Sequence, residues 1–166
     1  MKRLKDIKGI LAIIIPAILT AACDSTECPI NNVVYSTYGF YTIADGTETP
    51  IGILDTLTVT AGGSDSVLIN RLTNGNQVEL PVSYTAATDT LVFTFVNTEQ
   101  QERWDTIWID KENIPHFESP DCPVSFFHNV TAVRHTRMLI DSVSIVNPNI
   151  NYNVSENFKI YFRNAD

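Results

Sequence analysis

Basic residues are scarce in this chain. Its 166 residues hold 11 Lys and Arg against 19 Asp and Glu, a formal net charge of −8. A protein so charged lacks the cationic patches that displace counterions from nucleic acid, and it gains nothing electrostatic from lying on anionic lipid. Membrane-spanning runs are missing too: the apolar run Ile10–Leu19, ILAIIIPAIL, is well short of the roughly 20 residues that cross a bilayer. Beyond residue 22 no window repeats its apolar positions with the 3.6-residue period, which excludes a helical bundle. His-Glu-x-x-His, Gly-x-Ser-x-Gly, the P-loop and Gly-x-Gly-x-x-Gly are all absent. With them go the commoner signatures of metalloproteases, α/β-hydrolases, nucleotide hydrolases and dinucleotide enzymes.

Cysteine is limited to Cys23, Cys28 and Cys122, and two of the three lie five positions apart. Upstream of them Lys2, Arg3, Lys5 and Lys8 form a positive segment, followed by the apolar run and then by small residues. That order is the layout of a secretory signal over residues 1–22. The join Thr20-Ala21-Ala22-Cys23 looks like a bacterial lipobox, in which Cys23 becomes the lipid-bearing first residue of the mature chain. Leu19 stands four residues before the cysteine, where the pattern prefers it at three. An ordinary signal peptide cut near Ala22 is the competing reading.

With Cys23 acylated, Cys28 and Cys122 remain, in the matching contexts Glu27-Cys28-Pro29 and Asp121-Cys122-Pro123. An even remainder in an exported chain is most simply one disulfide. Closing a loop of about 95 residues removes about 4.7 kcal/mol of unfolded-state entropy on the chain-entropy account. A two-cysteine metal site would lack its other ligands. Residues 23–27 then form a tether whose step from Cys23 to Cys28 reaches at most about 18 Å. Removing the signal segment leaves 144 residues with 7 basic against 18 acidic side chains.

Residues 28–166 read as one all-β domain. Alternating or β-branched runs at 33–43, 54–60, 66–72, 77–84, 90–97, 104–110, 124–136, 139–146 and 157–163 predict strands. Asp45-Gly46, Gly62-Gly63, Asn74-Gly75 and Asn147-Pro148-Asn149 punctuate them as turns. Short strands at regular spacing predict an antiparallel β-sandwich of seven to nine strands, immunoglobulin-like in general architecture.

Asp followed by Ser or Thr and an aliphatic residue recurs at Asp55-Thr56-Leu57, Asp65-Ser66-Val67, Asp89-Thr90-Leu91, Asp105-Thr106-Ile107 and Asp141-Ser142-Val143. A structural reading has Asp closing a turn before a strand begins. The tripeptide also resembles an O-glycosylation acceptor of one large Gram-negative phylum, making Thr56, Ser66, Thr90, Thr106 and Ser142 candidate acceptors. Strand alternation turns Thr56, Thr90 and Ser142 away from the aliphatic face. The lipobox, the paired Cys-Pro contexts, these tripeptides and the closing strand Asn157-Phe158-Lys159-Ile160-Tyr161-Phe162 together resemble a family of small uncharacterised outer-membrane lipoproteins of that phylum. The resemblance implies an envelope location and brings no activity with it.

Little in the chain suggests catalysis. His128 and His135 lie seven apart on one predicted strand, an offset that puts them on opposite faces unless a bulge intervenes. His116 falls in a turn, and Glu112, Glu118 and Asp121 gather in a loop without a defined pairing. The asparagines of Asn147–Asn153 read as a solvated turn, since calcium would want carboxylates there. No cofactor and no metal are expected. The notable surface pattern is Trp104-x-Thr106-x-Trp108, which alternation turns outward if Ile107 faces the core. Two outward rings would suit a protein interface or a sugar ring. The expectation is a non-enzymatic, lipid-anchored accessory subunit with an outer-membrane protein partner. A glycan-binding surface is the first alternative and a hydrolase the second. Asp24 and Glu27 leave display at the cell surface open beside a periplasmic orientation.

Overall fold

Strict alternation of buried and outward side chains runs along the two longest central strands. Leu91, Phe93 and Phe95 point inward from one, and Ile107 and Ile109 from its neighbour, while Val92, Thr94, Thr106 and Trp108 point out. These strands belong to a computed structural model that describes Cys28 and residues 33–64 and 66–163. The expectations for the signal segment, for Cys23 and its tether, and for Asp65 lie outside those residues. The described chain contains strands β1 (Tyr35–Ala44), β2 (Thr47–Pro50), β3 (Thr56–Ala61), β4 (Val67–Leu72), β5 (Gln77–Pro81) and β6 (Thr88–Val96). After them come β7 (Glu102–His116), β8 (Ser125–His135), β9 (Ile140–Ile145), β10 (Asn149–Ile150) and β11 (Glu156–Phe162).

Two sheets pack face to face, as the periodicity predicts. One has the order β10-β8-β7-β6-β3-β4 and is antiparallel throughout. The other runs β2-β1-β11-β9, with β5 also on β1. Along one edge of β1, β5 pairs with Tyr35–Gly39 and β2 with Tyr41–Ala44. The opposite edge takes β11 in parallel. That pair departs from the all-antiparallel expectation: the first and last strands meet side by side, so no hairpin joins them. All nine expected strands are present. β2 and β10 are additional, because four and two residues are too few for a periodic signal.

Aromatic rings fill the space between the sheets. Tyr38 stacks on Phe158 at 4.8 Å and meets Phe93 edge-on, while Phe162 meets both Phe40 and Phe95 edge-on. The Tyr38 hydroxyl is buried beside Ser36 Oγ at 3.0 Å, and that burial pushes its pKa far up. Cys28 and Cys122 form the expected disulfide, with their Cα atoms 5.4 Å apart. It ties the segment before β1 to the loop between β7 and β8.

A β-bulge redirects one strand. Asp110 pairs with Ala132 but Lys111 with Val130, leaving Thr131 as the extra residue on β8. His135 therefore pairs with inward Ile107 while His128 pairs with inward Asn113, so both histidines occupy the inner face. The bulge overturns the opposite-face expectation.

The passage from β8 in one sheet to β9 in the other is held by a buried carboxylate. Asp105 has no exposed surface, and its Oδ1 accepts from Thr136 Oγ1 at 2.6 Å and from the Met138 N–H at 2.7 Å. Its Oδ2 accepts from the N–H groups of Leu139 at 2.7 Å and Ile140 at 2.9 Å. Burial pushes the carboxyl pKa up, but the four donors outweigh it and hold the group below the ordinary aspartate range. Asp105→Asn turns an amide nitrogen toward donors that need an acceptor. Hydrogen bonds to charged groups contribute about 1.5–3 kcal/mol each, so the loss of stability should be at least about 3 kcal/mol. Urea unfolding followed by near-UV circular dichroism measures it, and an unchanged midpoint contradicts this role.

Candidate functional site

The outer face of the six-stranded sheet is built by cross-strand register. Trp104 stands opposite Thr94, Thr106 opposite Val92, and Trp108 opposite Thr90 on one side and Arg134 on the other. One strand further, Thr58 pairs with Thr94 and Thr56 with Val96. A surface of β-branched side chains results, from which the Trp104 ring rises 59% exposed. Trp108 is partly covered: the Arg134 guanidinium lies 5.7 Å from its ring centroid. The same Arg134 reaches Asp110 Oδ1 at 3.3 Å, and Thr88 donates to that oxygen at 2.7 Å. Those two bonds hold the Asp110 carboxyl below its ordinary range. Thus the two predicted rings do share a face with Thr106 between them, but only Trp104 is freely presented.

Four of the five tripeptide aspartates, all those among the described residues, have partners. Asp55 pairs with Arg103 at 3.4 Å, Asp89 with buried Lys111 at 3.3 Å, and Asp141 with Arg163 at 3.9 Å, while Asp105 is the sealed anchor described above. Asp89 is thus held by a buried partner and Asp105 is itself buried, whereas Asp55 and Asp141 make solvent-accessible ion pairs of little weight. Of the candidate acceptors, Ser66 is exposed, whereas Thr56, Thr90, Thr106 and Ser142 are partly buried. Thr90 is the most crowded: a Cβ on Gly62 would come within 2.4 Å of its methyl, so that glycine is required by close approach.

Buried polar residues on the inner face of β7 pin a second loop. Lys111 Nζ donates to the Ala86 carbonyl at 2.6 Å, and Asn113 Nδ2 donates to the carbonyls of Tyr84 and Ala86. With its amide nitrogen so used, Asn113 presents Oδ1 to His128 Nδ1 at 2.7 Å. His128 must donate there, which makes it the neutral Nδ1–H tautomer. Burial first, and the Lys111 charge second, hold its pKa down to about 4. Asp89 beside Lys111 is pushed up by burial, against the pull of that ammonium.

Two clefts open at the sandwich edges. One of 570 Å³ has an apolar floor that includes Ile51, Phe95, Leu139 and Phe162, with Arg103 and Arg163 beside it. Its lining carries a single carboxylate, Asp55, already engaged by Arg103. The other, of 410 Å³, lies beside Pro81–Tyr84 and includes Asp89 and Thr90. Neither cleft is lined by histidine or cysteine. The larger one had no signal in the sequence, because its walls come from positions between 42 and 163. Among the described residues no group of three or more His, Cys, Asp or Glu side chains comes together as metal ligands would. No described helix is long and apolar enough to cross a membrane.

Fold and surface define a disulfide-stapled β-sandwich whose six-stranded sheet presents Trp104 outward. Residues 56–162, more than half of the chain, match DUF6452, a family of unknown function, and the protein belongs to that family. The match runs from the start of β3 to the end of β11 and leaves β1 and β2 outside. Yet β1 sits between β11 and β5 in its sheet, so the folded unit extends upstream of the matched segment. No curated protein and no solved structure matches the chain.

Burial of His128 sets a pH dependence. A folded pKa of about 4 lies below the ordinary value of 6.5, so the unfolded chain binds the proton first as pH falls. The stability contribution is full above pH 6.5 and is lost between there and pH 4. Linkage gives a loss of about 2 kcal/mol from this residue between pH 7 and pH 5. His128→Asn keeps a donor toward Asn113 but cannot titrate, so its urea midpoint should move less over the same interval.

Proposed function

We propose that this protein is a lipid-anchored β-sandwich of the bacterial envelope that acts as a non-enzymatic interaction subunit of an outer-membrane complex for protein assembly, export or uptake. The exposed Trp104 ring on the Thr-rich sheet face carries the reading. An aromatic ring on a rigid sheet loses little conformational entropy on docking, which suits a binding hot spot. Supporting it are the lipobox at Cys23, the short tether to Cys28, and the two clefts, whose linings lack a histidine or cysteine to serve as base or nucleophile. A surface-exposed or a periplasmic orientation fits equally with this role.

A second reading uses the same face for carbohydrate. Trp104 lies among the hydroxyls of Thr58, Thr94 and Thr106, and a pyranose stacked on the ring would find hydrogen-bond partners beside it. Ser66, exposed at the start of β4, is the acceptor best placed to carry a glycan of its own.

Two measurements test these readings. Native mature protein should have the mass of residues 23–166 plus acyl groups; a chain beginning at Cys23 without lipid removes the anchor. Sugar increments beyond that mass would establish glycosylation, and their absence would end that idea. In a pull-down from outer membranes in mild detergent, a stoichiometric integral membrane protein should accompany the wild type. Losing a Trp hot spot costs about 2 kcal/mol, or about thirtyfold in Kd, so Trp104→Ala with Trp108→Ala should deplete that partner strongly. If the double variant keeps its partner but loses retention on a glycan array, the face reads sugar instead.

A further inference from the structure

The strongest unexplained feature lies at the end of the molecule nearest the tether. β6 pairs with β7 only as far as Asp110, so Ile114–His116 and Ser125–Phe127 run on as a two-stranded ribbon. A ribbon that leaves the sandwich would ordinarily carry polar side chains. This one carries stacked aromatic rings on both faces. On one face His116 stacks on Phe127 at 4.1 Å, and Tyr152 meets Phe127 edge-on at 5.0 Å. On the other, Tyr84 stacks on Phe126 at 5.3 Å, and the Tyr84 ring remains largely exposed. At the tip Phe117 is 69% exposed, with Ile114 and Val124 also open to solvent. Isolated apolar side chains on a surface need no explanation, but three exposed at the end of one ribbon do.

The loop that closes this ribbon is the one that carries Cys122, bonded to Cys28. Under the lipid-anchored reading, on which this inference rests, the acylated Cys23 lies within about 18 Å of Cys28 along an extended chain. The patch and the anchor therefore share one end of the domain. We infer that the β7–β8 ribbon tip is a membrane contact: Phe117, Ile114 and Val124 seat in the headgroup boundary of the bilayer that holds the Cys23 lipid, and Tyr84 and Tyr152 lie at its level. Tyrosine suits that depth, with an apolar body and a polar tip.

Charge selects the kind of surface. Glu112, Glu118 and Asp121 flank the tip, and residues 112–133 contain no Lys or Arg. Attraction is thus apolar rather than electrostatic, so the tip fits a zwitterionic surface and is repelled by an anionic one. A second contact beside the acyl groups strengthens anchoring and fixes orientation. The 13 positions from Trp104 to Phe117 amount to at most about 43 Å of strand, so the Trp104 ring and the tip are separate surfaces of β7.

The test uses the chain from Cys23 onward, which holds every described residue. With Cys28 and Cys122 paired, the Cys23 thiol alone can be coupled to a maleimide lipid in phosphatidylcholine vesicles. Phe117→Trp should show blue-shifted emission that brominated phosphatidylcholine quenches. The parent chain, whose Trp104 and Trp108 stand far from the tip, should be unaffected, and Ile114→Ser added to Phe117→Trp should reduce the quenching. Replacing part of the phosphatidylcholine with phosphatidylglycerol should reduce it as well. An unquenched Phe117→Trp, or quenching that rises with anionic lipid, overturns the inference. If Phe117→Trp stays unquenched and Phe117→Ser releases a membrane protein in the pull-down, the tip is a protein interface instead. Coupling is chemical here, so loss of the native lipid in the mass measurement sinks the anchor reading without deciding the behaviour of the tip.

Discussion

One buried carboxylate sets the geometry of the sandwich. The turn between β8 and β9 must carry the chain from one sheet to the other, and its backbone N–H groups have no strand to pair with at that point. Asp105 collects three of them together with a hydroxyl. A charge with no exposed surface would be prohibitive without such partners. With them it fixes where β9 enters the second sheet, and thereby where β11 and β1 lie beside it. The opposite end of β7 repeats the device with Lys111 and Asn113, which hold the loop carrying Tyr84 and Ala86. The longest strand is therefore apolar at its centre and anchors a loop near each end.

This arrangement leaves β7 with two different tasks on its two faces. Inward, it positions the loops. Outward, it presents Trp104 over a field of threonine, and beyond Asp110 it continues as the aromatic ribbon stapled by Cys122. Rigidity of the strand connects these surfaces. A face on a sheet pinned at both ends is preorganised, so any contact made there would lose less to ordering than one made by a loop.

The tripeptides show where a local pattern admits two readings. Asp-Ser/Thr-aliphatic reads equally as a modification acceptor and as an aspartate entering a strand, and the residues themselves are the same in both cases. What the tertiary structure adds is the partner of four of these aspartates: Arg103, Lys111, Arg163 or the backbone of residues 138–140, lying between 22 and 48 positions away in the chain. Likewise β2 is a polar tetrapeptide with no pattern to find. It is held because Glu48 accepts from Lys159 and Tyr161, which lie across β1 from it.

Periodicity by itself determined the class of fold, the nine principal strands, the shared face of Leu91, Phe93 and Phe95, and the common face of Trp104 and Trp108. These follow because a strand's two-residue period divides buried from exposed side chains wherever one face packs on a core. Cysteine arithmetic likewise indicated the Cys28–Cys122 bond. Tertiary structure alone decided the parallel meeting of β1 and β11, the bulge at Thr131 that brings both histidines inward, the burial of Asp105, and the projection of the ribbon beyond β6. Each of these depends on which distant segments come to lie side by side, and a pattern confined to neighbouring residues carries no record of that.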